Sequence, residues 1–148
     1  MPWFVKIEEG KVDKTTFDQY VPAHKAYVQD LIASGFPVLF IGAGENGPTI
    51  MTDNAAGILE GMRHLVDHGH RQIAFIAGTE DDLAGDTGER LRAYQTACAQ
   101  FGLDQNPGLV AYGRHVFDGG SLAMQQMIAT GVNFTAVMAS NDESALGA

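Results

Sequence analysis

RQIAFIAGTEDDLAGDTGERLR, residues 71–92, decides how this chain folds. Its apolar run Ile73–Ala77 is typical of a parallel strand that is covered on both faces, and Gly78 ends that run. The loop over residues 79–88 carries four acidic side chains, which makes it too polar to bury. A helix pattern begins near Glu89. The stretch therefore predicts a strand, a polar loop and a helix in one unit.

The polar loop also holds the first candidate for function. In parallel α/β folds, ligands bind at the carboxyl ends of the strands. The loop lies at such an end and delivers two basic side chains, Arg90 and Arg92, at the start of the next helix. We therefore interpret it as a recognition loop.

Strand and helix patterns alternate along the rest of the chain. Strands are predicted over residues 3–8, 38–41, 73–77, 109–112 and 134–139. Helices are predicted over 17–32 with Gly35 as the stop, from Asp53 or Asn54 to 66, over 89–101, over 120–129 with Asp118 as the cap, and from Asn141 or Asp142 onward. Alternating βα units predict an α/β fold with a mostly parallel sheet and helices on both faces.

The composition is that of a folded, acidic domain. The 148 residues are 45% hydrophobic and 18% charged, which argues against a disordered chain. The formal net charge of −9 disfavours sequence-independent DNA binding, which needs clustered Lys and Arg. Cys98 is the only cysteine and lies on a helix pattern, so we expect a buried thiol and no internal disulfide. No apolar run reaches the ~18 residues of a membrane span and no signal peptide is evident, so we expect a cytoplasmic protein.

Four pieces of the chain, in this order, resemble the effector-binding core of lactose-repressor-type (LacI/GalR) transcriptional regulators, a branch of the periplasmic-binding-protein-like fold. They are FPVLFIG at 36–42, TDNAAGILEGMRHLVDHGHRQIAFIAG at 52–78, GERLRAYQTACAQFGL at 88–103 and FTAVMASNDESALGA at 134–148. The resemblance implies that residues 36–148 are a partial effector-binding domain, mainly the first half of its C-terminal lobe, without the DNA-binding headpiece. It implies a non-enzymatic sensor of a sugar or sugar-like effector that uses no cofactor.

The same resemblance implies a mechanism and partners. An effector bridges two lobes, their closure shifts a dimer interface, and an attached output domain responds. The expected partners are therefore a small-molecule effector and a second copy of the chain, with no direct nucleic-acid contact from this segment and no membrane.

Residues 1–35 carry a second resemblance. The strand pattern over residues 3–8 and the motif PAHKAY at 22–27 resemble the opening βα unit of YCII-related domains, which are small ferredoxin-like α+β proteins. We therefore predict a domain boundary between residues 35 and 36. Two alternative functions stay open: a YCII-related, enzyme-like fragment with His24 as general base, and a chimeric or fused chain without independent function.

The LacI/GalR resemblance also implies the first site residues. Arg92 matches the second arginine of the family's RLR segment, which hydrogen-bonds sugar hydroxyls or an anionic group, whereas Arg90 is interpreted as structural. Asn141 and Asp142 match the family's ND pair, and helix capping is an alternative role for Asp142. Arg92, Asn141 and Asp142 are therefore predicted ligand contacts.

Two positions depart from the family pattern. Gly42 stands where the family often has an acidic residue that accepts sugar hydroxyls. His115 stands where it often has an aromatic residue that stacks on the sugar face, and the nearby Phe117 is a candidate substitute. We add His115 and Phe117 to the predicted ligand contacts, and the two departures argue against a plain monosaccharide.

Two further patterns indicate other kinds of site. His64 and His68 lie four residues apart, with His70 following, but no carboxylate or cysteine has metal-ligand spacing beside them. The glycine-rich GAGENG at 42–47 follows a strand as phosphate loops do, but it lacks the G-x-G-x-x-G spacing and the GK[ST] ending. We therefore predict neither a metal nor a nucleotide.

Overall fold

A computed structural model describes residues 26–27, 29–35, 40–41, 48–81 and 85–148. The chain divides into two compact units, Met1–Met51 and Thr52–Ala148, and each is described by itself. In the first unit, residues 26–27 and 29–33 are helical, and Gly35 follows them with a φ of 78°. The predicted glycine stop of this helix is thus confirmed. The strand predicted over residues 3–8 lies outside the described residues.

The first unit also contains a short parallel ladder. The strand β1 (Phe40–Ile41) pairs with β2 (Thr49–Ile50), residue for residue and in parallel. β1 is the end of the strand predicted over residues 38–41. Sequence patterns do not reveal β2, because two residues beside Pro48 form no apolar run.

In the second unit, helices and strands alternate along the chain. The order is α1 (Asn54–Asp67), β3 (Ile73–Ala77), α2 (Asp86–Phe101), a 3-10 turn (Pro107–Leu109), β4 (Val110–Tyr112), α3 (Phe117–Ala129), β5 (Ala136–Ala139) and α4 (Asp142–Gly147). The strand order is β4-β3-β5, and both pairings are parallel. The predicted parallel α/β arrangement is therefore confirmed.

The central strand β3 is buried along its whole length, because helices cover both faces of the sheet. On one face its odd-numbered residues pack against α1 and α2 in a cluster that includes Ile73, Phe75, Ala77, Met62 and Tyr94. On the other face its even-numbered residues pack against β4 and α3 in a cluster that includes Ala74, Ile76, Ala111, Ala123 and Met127. Alternate strand residues point to opposite faces, so this apolar run serves two cores.

Two predicted helix caps are confirmed by their hydrogen bonds. Asp53 Oδ1 accepts a hydrogen bond from the backbone N–H of Ala56 at 2.9 Å, at the start of α1. Asn141 Oδ1 accepts one from the backbone N–H of Ser144 at 3.2 Å, at the start of α4. Both side chains satisfy a backbone donor that the first helical turn leaves unpaired.

The start of α2 differs from the prediction. The helix begins at Asp86, three residues before the predicted Glu89, and the extended Gly85 precedes it. Of the four acidic residues in the predicted loop, only Asp86 lies in the first helical turn. Carboxylates are favourable there, because the helix dipole places positive partial charge at that end.

The predicted start of α3 was wrong. The helix begins at Phe117, with Val116 at its cap, and Asp118 lies inside the first turn. The physical reason is a turn just before it, where Arg114 and His115 have φ values of 55° and 59°. Non-glycine residues seldom have a positive φ, so the sequence does not predict this turn.

Candidate functional site

The three strands of the second unit end at one edge of their sheet. The backbone N–H of Gly113, after β4, donates to Ala77 O in β3 at 2.8 Å. The backbone N–H of Ser140, after β5, donates to Ile76 O at the same distance. The segments that follow β3, β4 and β5 therefore lie side by side, as expected of parallel strands.

Asn54 connects the start of α1 with the start of α2. Its side chain is only 4% exposed. Its Nδ2 donates to Asp86 Oδ1 at 3.1 Å and to Glu89 Oε2 at 3.0 Å, while its Oδ1 accepts from Arg90 Nε at 2.7 Å. A neutral amide thus joins two carboxylates and one guanidinium, and uses three of its four hydrogen-bonding positions.

Arg90 extends this network to the end of β5. Its Nη1 donates to the backbone carbonyl of Ser140, across 50 residues of sequence. A guanidinium has five N–H donors in a fixed plane, and these two bonds use two of them. Arg90 therefore lies at the strand edge, where α/β folds bind ligands.

His115 makes a second bridge at the same edge. Its Nε2 lies 2.8 Å from Thr87 Oγ1, and its Nδ1 lies 3.4 Å from Ser140 Oγ. Thr87 and Ser140 are both buried, and His115 is half-buried. The imidazole thus joins the first turn of α2 to the end of β5.

Asn141 and Asp142 follow β5 but have different surroundings. Asn141 is half-buried, and its Nδ2 donates to the backbone carbonyl of His115 at 3.1 Å. Asp142 is exposed in the first turn of α4. The capping role that was an alternative for Asp142 belongs to Asn141 instead.

Arg92 and Phe117 have surroundings different from those of His115 and Asn141. Arg92 is exposed and lines an open groove between α1 and α2, which Asn54 and Glu89 of the network also line, together with Asp53 and Gln100. Phe117 is 51% exposed at the start of α3. The structure thus brings His115 and Asn141 together, whereas the groove beside Arg92 does not include Asn141.

The histidines considered for metal binding have other partners. The rings of His64 and His68 lie 4.2 Å apart between centroids, and His68 Nδ1 contacts His64 O at 2.8 Å. His70 Nδ1 lies 2.9 Å from Thr135 Oγ1. Within the described ranges, no group of three His, Cys, Asp or Glu side chains could hold a metal ion. His24 and the glycine-rich stretch 42–47 lie outside those ranges.

Cys98 is buried, as predicted, with 1% of its surface exposed. Burial raises the pKa of its thiol, and burial together with Cys98 and Asp104 raises the pKa of the neighbouring Tyr94 far above its usual range. The Tyr94 hydroxyl donates to Ile73 O at 2.7 Å. Both side chains therefore stay protonated at neutral pH and lie in the core between α2 and β3.

Three residues of the network have no evident sequence signal. Asn54 was predicted only as an alternative helix cap, and no pattern singles out Thr87 or Ser140. Their partners lie 25 to 50 residues away along the chain. Such contacts depend on how three strand ends come together, which short motifs do not encode.

The model of the family described as periplasmic binding proteins and sugar binding domain of the LacI family matches residues 17–148. The chain belongs to this family. Its relatives include the HTH-type transcriptional regulator CelR of Thermobifida fusca, 36% identical over 96 residues, which are 65% of this chain and 28% of that protein. The HTH-type transcriptional regulator GalR of Escherichia coli (strain K12) is 35% identical over 99 residues, 67% of this chain and 28% of that protein.

Solved structures of LacI-family regulators share the fold. A sugar-binding transcriptional regulator from Escherichia coli complexed with phosphate superposes with a TM-score of 0.70 and 27% identity, over 82% of this chain and 45% of the other. The CelR–cellobiose complex gives 0.65 and 30%, over 79% and 37%. The relatives are transcriptional regulators, and the family match covers their effector-binding domain.

The extent of the match bears on two expectations. It begins at residue 17, inside the segment expected to resemble a YCII-related domain, and that resemblance is not borne out. The boundary between residues 35 and 36 stays a prediction. This chain spans about 28% of the length of the curated relatives it matches, so the activity of a whole regulator is a matter for proposal.

Proposed function

We propose that this LacI-family chain binds a small, uncharged, hydroxyl-rich effector at the edge where β3, β4 and β5 end, as the sensing part of a transcriptional regulator. The observation that carries the proposal is the Asn54–Arg90–Ser140 network at that edge. It fixes a planar array of N–H donors where three strand ends and two helix starts meet.

The local charge favours an uncharged ligand. Asp86 and Glu89 bring two carboxylates, and Arg90 brings one guanidinium, so the formal charge of the three side chains is −1. An anionic effector would face net repulsion, whereas hydroxyl groups can donate to carboxylates and accept from the guanidinium. A sugar or sugar-like molecule has this chemistry.

We assign the anchoring role to Arg90, beside Asn141 and His115 of the same edge. Asp142 and Phe117 remain predicted contacts at its rim, since both are exposed at the starts of helices that follow the strands. Arg92 remains the prediction drawn from the family motif. Substituting each arginine separately distinguishes the two assignments.

Thermal denaturation with a sugar panel tests the proposal. The panel contains cellobiose, because a CelR relative is solved as its complex, with glucose, galactose, a nucleoside and glucose 6-phosphate. A ligand at 100 times its dissociation constant stabilises the folded chain by ~2.7 kcal/mol. We expect an uncharged member to raise the melting temperature and the phosphorylated sugar not to do so. A panel without any stabilising member contradicts the proposal.

Titration calorimetry with the stabilising sugar then tests the two arginines. Arg90→Ala is expected to weaken binding by ~1–3 kcal/mol, the loss typical when a charged donor is removed from a buried acceptor. The family motif predicts the same loss for Arg92→Ala. Unchanged affinity in Arg90→Ala, measured where that variant is folded, would remove Arg90 from the site.

We infer further that the chain is a binding module and not an enzyme. The Ser140 hydroxyl beside His115 has the composition of a nucleophile and base, but Ser140 is only 5% exposed and the other ring nitrogen contacts a threonine. A buried hydroxyl cannot reach a substrate, and no carboxylate orients this imidazole among its described contacts. Absence of hydrolysis of nitrophenyl esters and glycosides would agree with this inference.

We also propose that the protein is a cytoplasmic homodimer. Residues 1–148 make no direct contact with nucleic acid or membrane in this proposal. The net charge of −9 opposes phosphate binding. Among the described residues, no helix is both long and apolar enough to cross a membrane. Phe117 and Leu146 expose apolar side chains, 51% and 72% respectively, on helices that pack together, and such exposure favours association. Light scattering should give a dimer mass, and a monomer at high concentration would contradict it.

A further inference from the structure

The turn that carries His115 is strained. Arg114 and His115 have φ values of 55° and 59°, a region that non-glycine residues seldom occupy. Such conformations persist only where the surrounding structure compensates for their cost, and they cluster at ligand sites and clamps. The compensation here comes from contacts that His115 makes through both its side chain and its backbone.

Those contacts reach two places in the fold, the first turn of α2 and the segment between β5 and α4. The ring contacts the hydroxyls of Thr87 in α2 and Ser140 after β5, and the carbonyl of His115 accepts from Asn141 Nδ2. A hydroxyl both donates and accepts, so either neutral tautomer of the imidazole satisfies both ring contacts. The ring is therefore held between two elements.

A glycine at the end of β3 makes room for this ring. A side-chain carbon at Gly78 would overlap His115 Nε2 and lie 2.6 Å from Thr87 Cγ2. Both partners of the ring contact would have to move. The close approach of ring, threonine and strand end therefore depends on the absence of a side chain at residue 78.

We propose that His115 is a positioning residue: its imidazole ties Thr87 to Ser140 and so holds Arg90 in place at the strand edge. Thr87 and Arg90 lie one turn apart on α2. The hydroxyl of Ser140 contacts the His115 ring, and its backbone carbonyl accepts a hydrogen bond from Arg90. Two parallel links thus fasten the same helix turn to the same strand end. This role differs from the stacking on a sugar face that the family pattern implies for this position, and it rests on the proposed function of Arg90.

A matched pair of substitutions at Thr87 tests the proposal in the full chain, without any ligand. Thr87→Val keeps the shape and removes the hydroxyl, whereas Thr87→Ser keeps the hydroxyl. The measurement is the NMR exchange of the Arg90 side-chain N–H groups with water. We expect Thr87→Val to accelerate that exchange roughly fivefold or more, as for loss of one hydrogen bond, and Thr87→Ser to restore the unmodified rate.

Further variants keep the test decisive. Ser140→Ala removes the other ring partner but keeps the carbonyl that Arg90 uses, and it should accelerate exchange similarly. Thr96→Val is the control, because among the described residues its hydroxyl bonds to Arg92 O of its own helix and to no other group. Exchange within twofold of the unmodified chain in either folded variant, Thr87→Val or Ser140→Ala, overturns the proposal. In the unmodified chain, a His115 ring N–H that exchanges as fast as that of a free imidazole also overturns it.

Cellobiose calorimetry on the same variants separates this proposal from the proposed function. Where cellobiose binds the unmodified chain, Thr87→Val should weaken binding by about the factor by which it accelerates the exchange of the Arg90 N–H groups. Thr87→Ser should restore the affinity. Where no panel sugar binds but Arg90 exchange responds as expected, the positioning role stands and the proposed function fails. Unchanged cellobiose affinity in Thr87→Val would show that the position of Arg90 does not matter to the ligand.

Discussion

At the scale of single residues, Asn54 shows how a neutral side chain holds charged neighbours together. Its amide donates to Asp86 and Glu89 and accepts from Arg90, all within 3.1 Å. If a side chain with different donors and acceptors replaced this buried amide, at least one of its partners would lose its hydrogen bond. The network therefore requires an amide and not merely a polar residue.

Asn54→Asp tests this requirement. The substitution replaces a donor by a third carboxylate beside Asp86 and Glu89, so we expect a loss of ~1–3 kcal/mol in the free energy of unfolding at neutral pH. The loss should shrink in acid, since protonation removes the repulsion. Urea denaturation at both pH values measures it. Asn106→Asp is the matched control, because this exposed amide oxygen only accepts a hydrogen bond, from Gly108 N, and a carboxylate does the same. Equal stability of the two variants would contradict this account of Asn54.

Sequence alone predicted a site at the strand ends, and two of its predicted contacts, His115 and Asn141, belong to the hydrogen-bond network found there. Asn141 could be predicted because a polar pair directly follows an apolar strand and begins a helix. The sequence analysis assigned the ligand contact to Arg92 and a structural role to Arg90, whereas Arg90 is the arginine that bonds to Ser140 at the end of β5. That choice depends on where α2 begins, and it begins three residues earlier than its pattern suggests.

At the scale of elements, α3 and α4 cross at glycines. A side-chain carbon at Gly120 would overlap the backbone of Ser144, and one at Gly147 would overlap the carbonyl of Phe117. The two helices can approach this closely only because these positions lack side chains. Gly120, at which the predicted helix began, lies inside α3 at this crossing.

Two glycine substitutions separate close packing from helix propensity. Gly120→Ala forces α3 and α4 apart, and we expect a loss of ~1–3 kcal/mol in the free energy of unfolding. Gly57→Ala, at an exposed position in α1 with open space around it, should raise the same free energy by ~0.4–1 kcal/mol. Chemical denaturation of both variants provides the comparison. A stabilised Gly120→Ala would contradict the crossing.

The packing of α2 on β3 gives a prediction about alkaline pH. Burial raises the pKa of Cys98 above its ordinary 9.0 and that of Tyr94 above its ordinary 10.0. The unfolded chain therefore loses these protons first, and the free energy of unfolding should fall as pH rises above 9 and more steeply above 10.

Tyr94→Phe tests which group is responsible. The variant should lose ~0.5–1.5 kcal/mol at neutral pH, because the hydrogen bond to Ile73 O disappears. It should also lack the steeper decline above pH 10. Tyr27→Phe, at a position 59% exposed, is the control. Parallel pH profiles for the unmodified chain and Tyr94→Phe would contradict the role of this buried phenol.

At the scale of the whole molecule, the parallel sheet was predictable and the contacts across it were not. Apolar runs with bounding glycines indicated β3, β4 and β5, and alternation with helices implied their direction. Residues 1–35 show the opposite case, since a short strand pattern and one six-residue motif suggested a family that the comparison with relatives does not support. Local patterns identify elements here, whereas family membership came from the order of several long pieces.

The most direct test of the central claim is an amide NMR titration of this chain with cellobiose and the uncharged sugars of the panel. If the strand edge is the effector site, saturable shifts will cluster at Asn54, Arg90, His115, Ser140 and Asn141. Glucose 6-phosphate will leave the chemical shifts of the same amides unchanged. Shifts confined to other surfaces, or none with any uncharged sugar, would contradict the account.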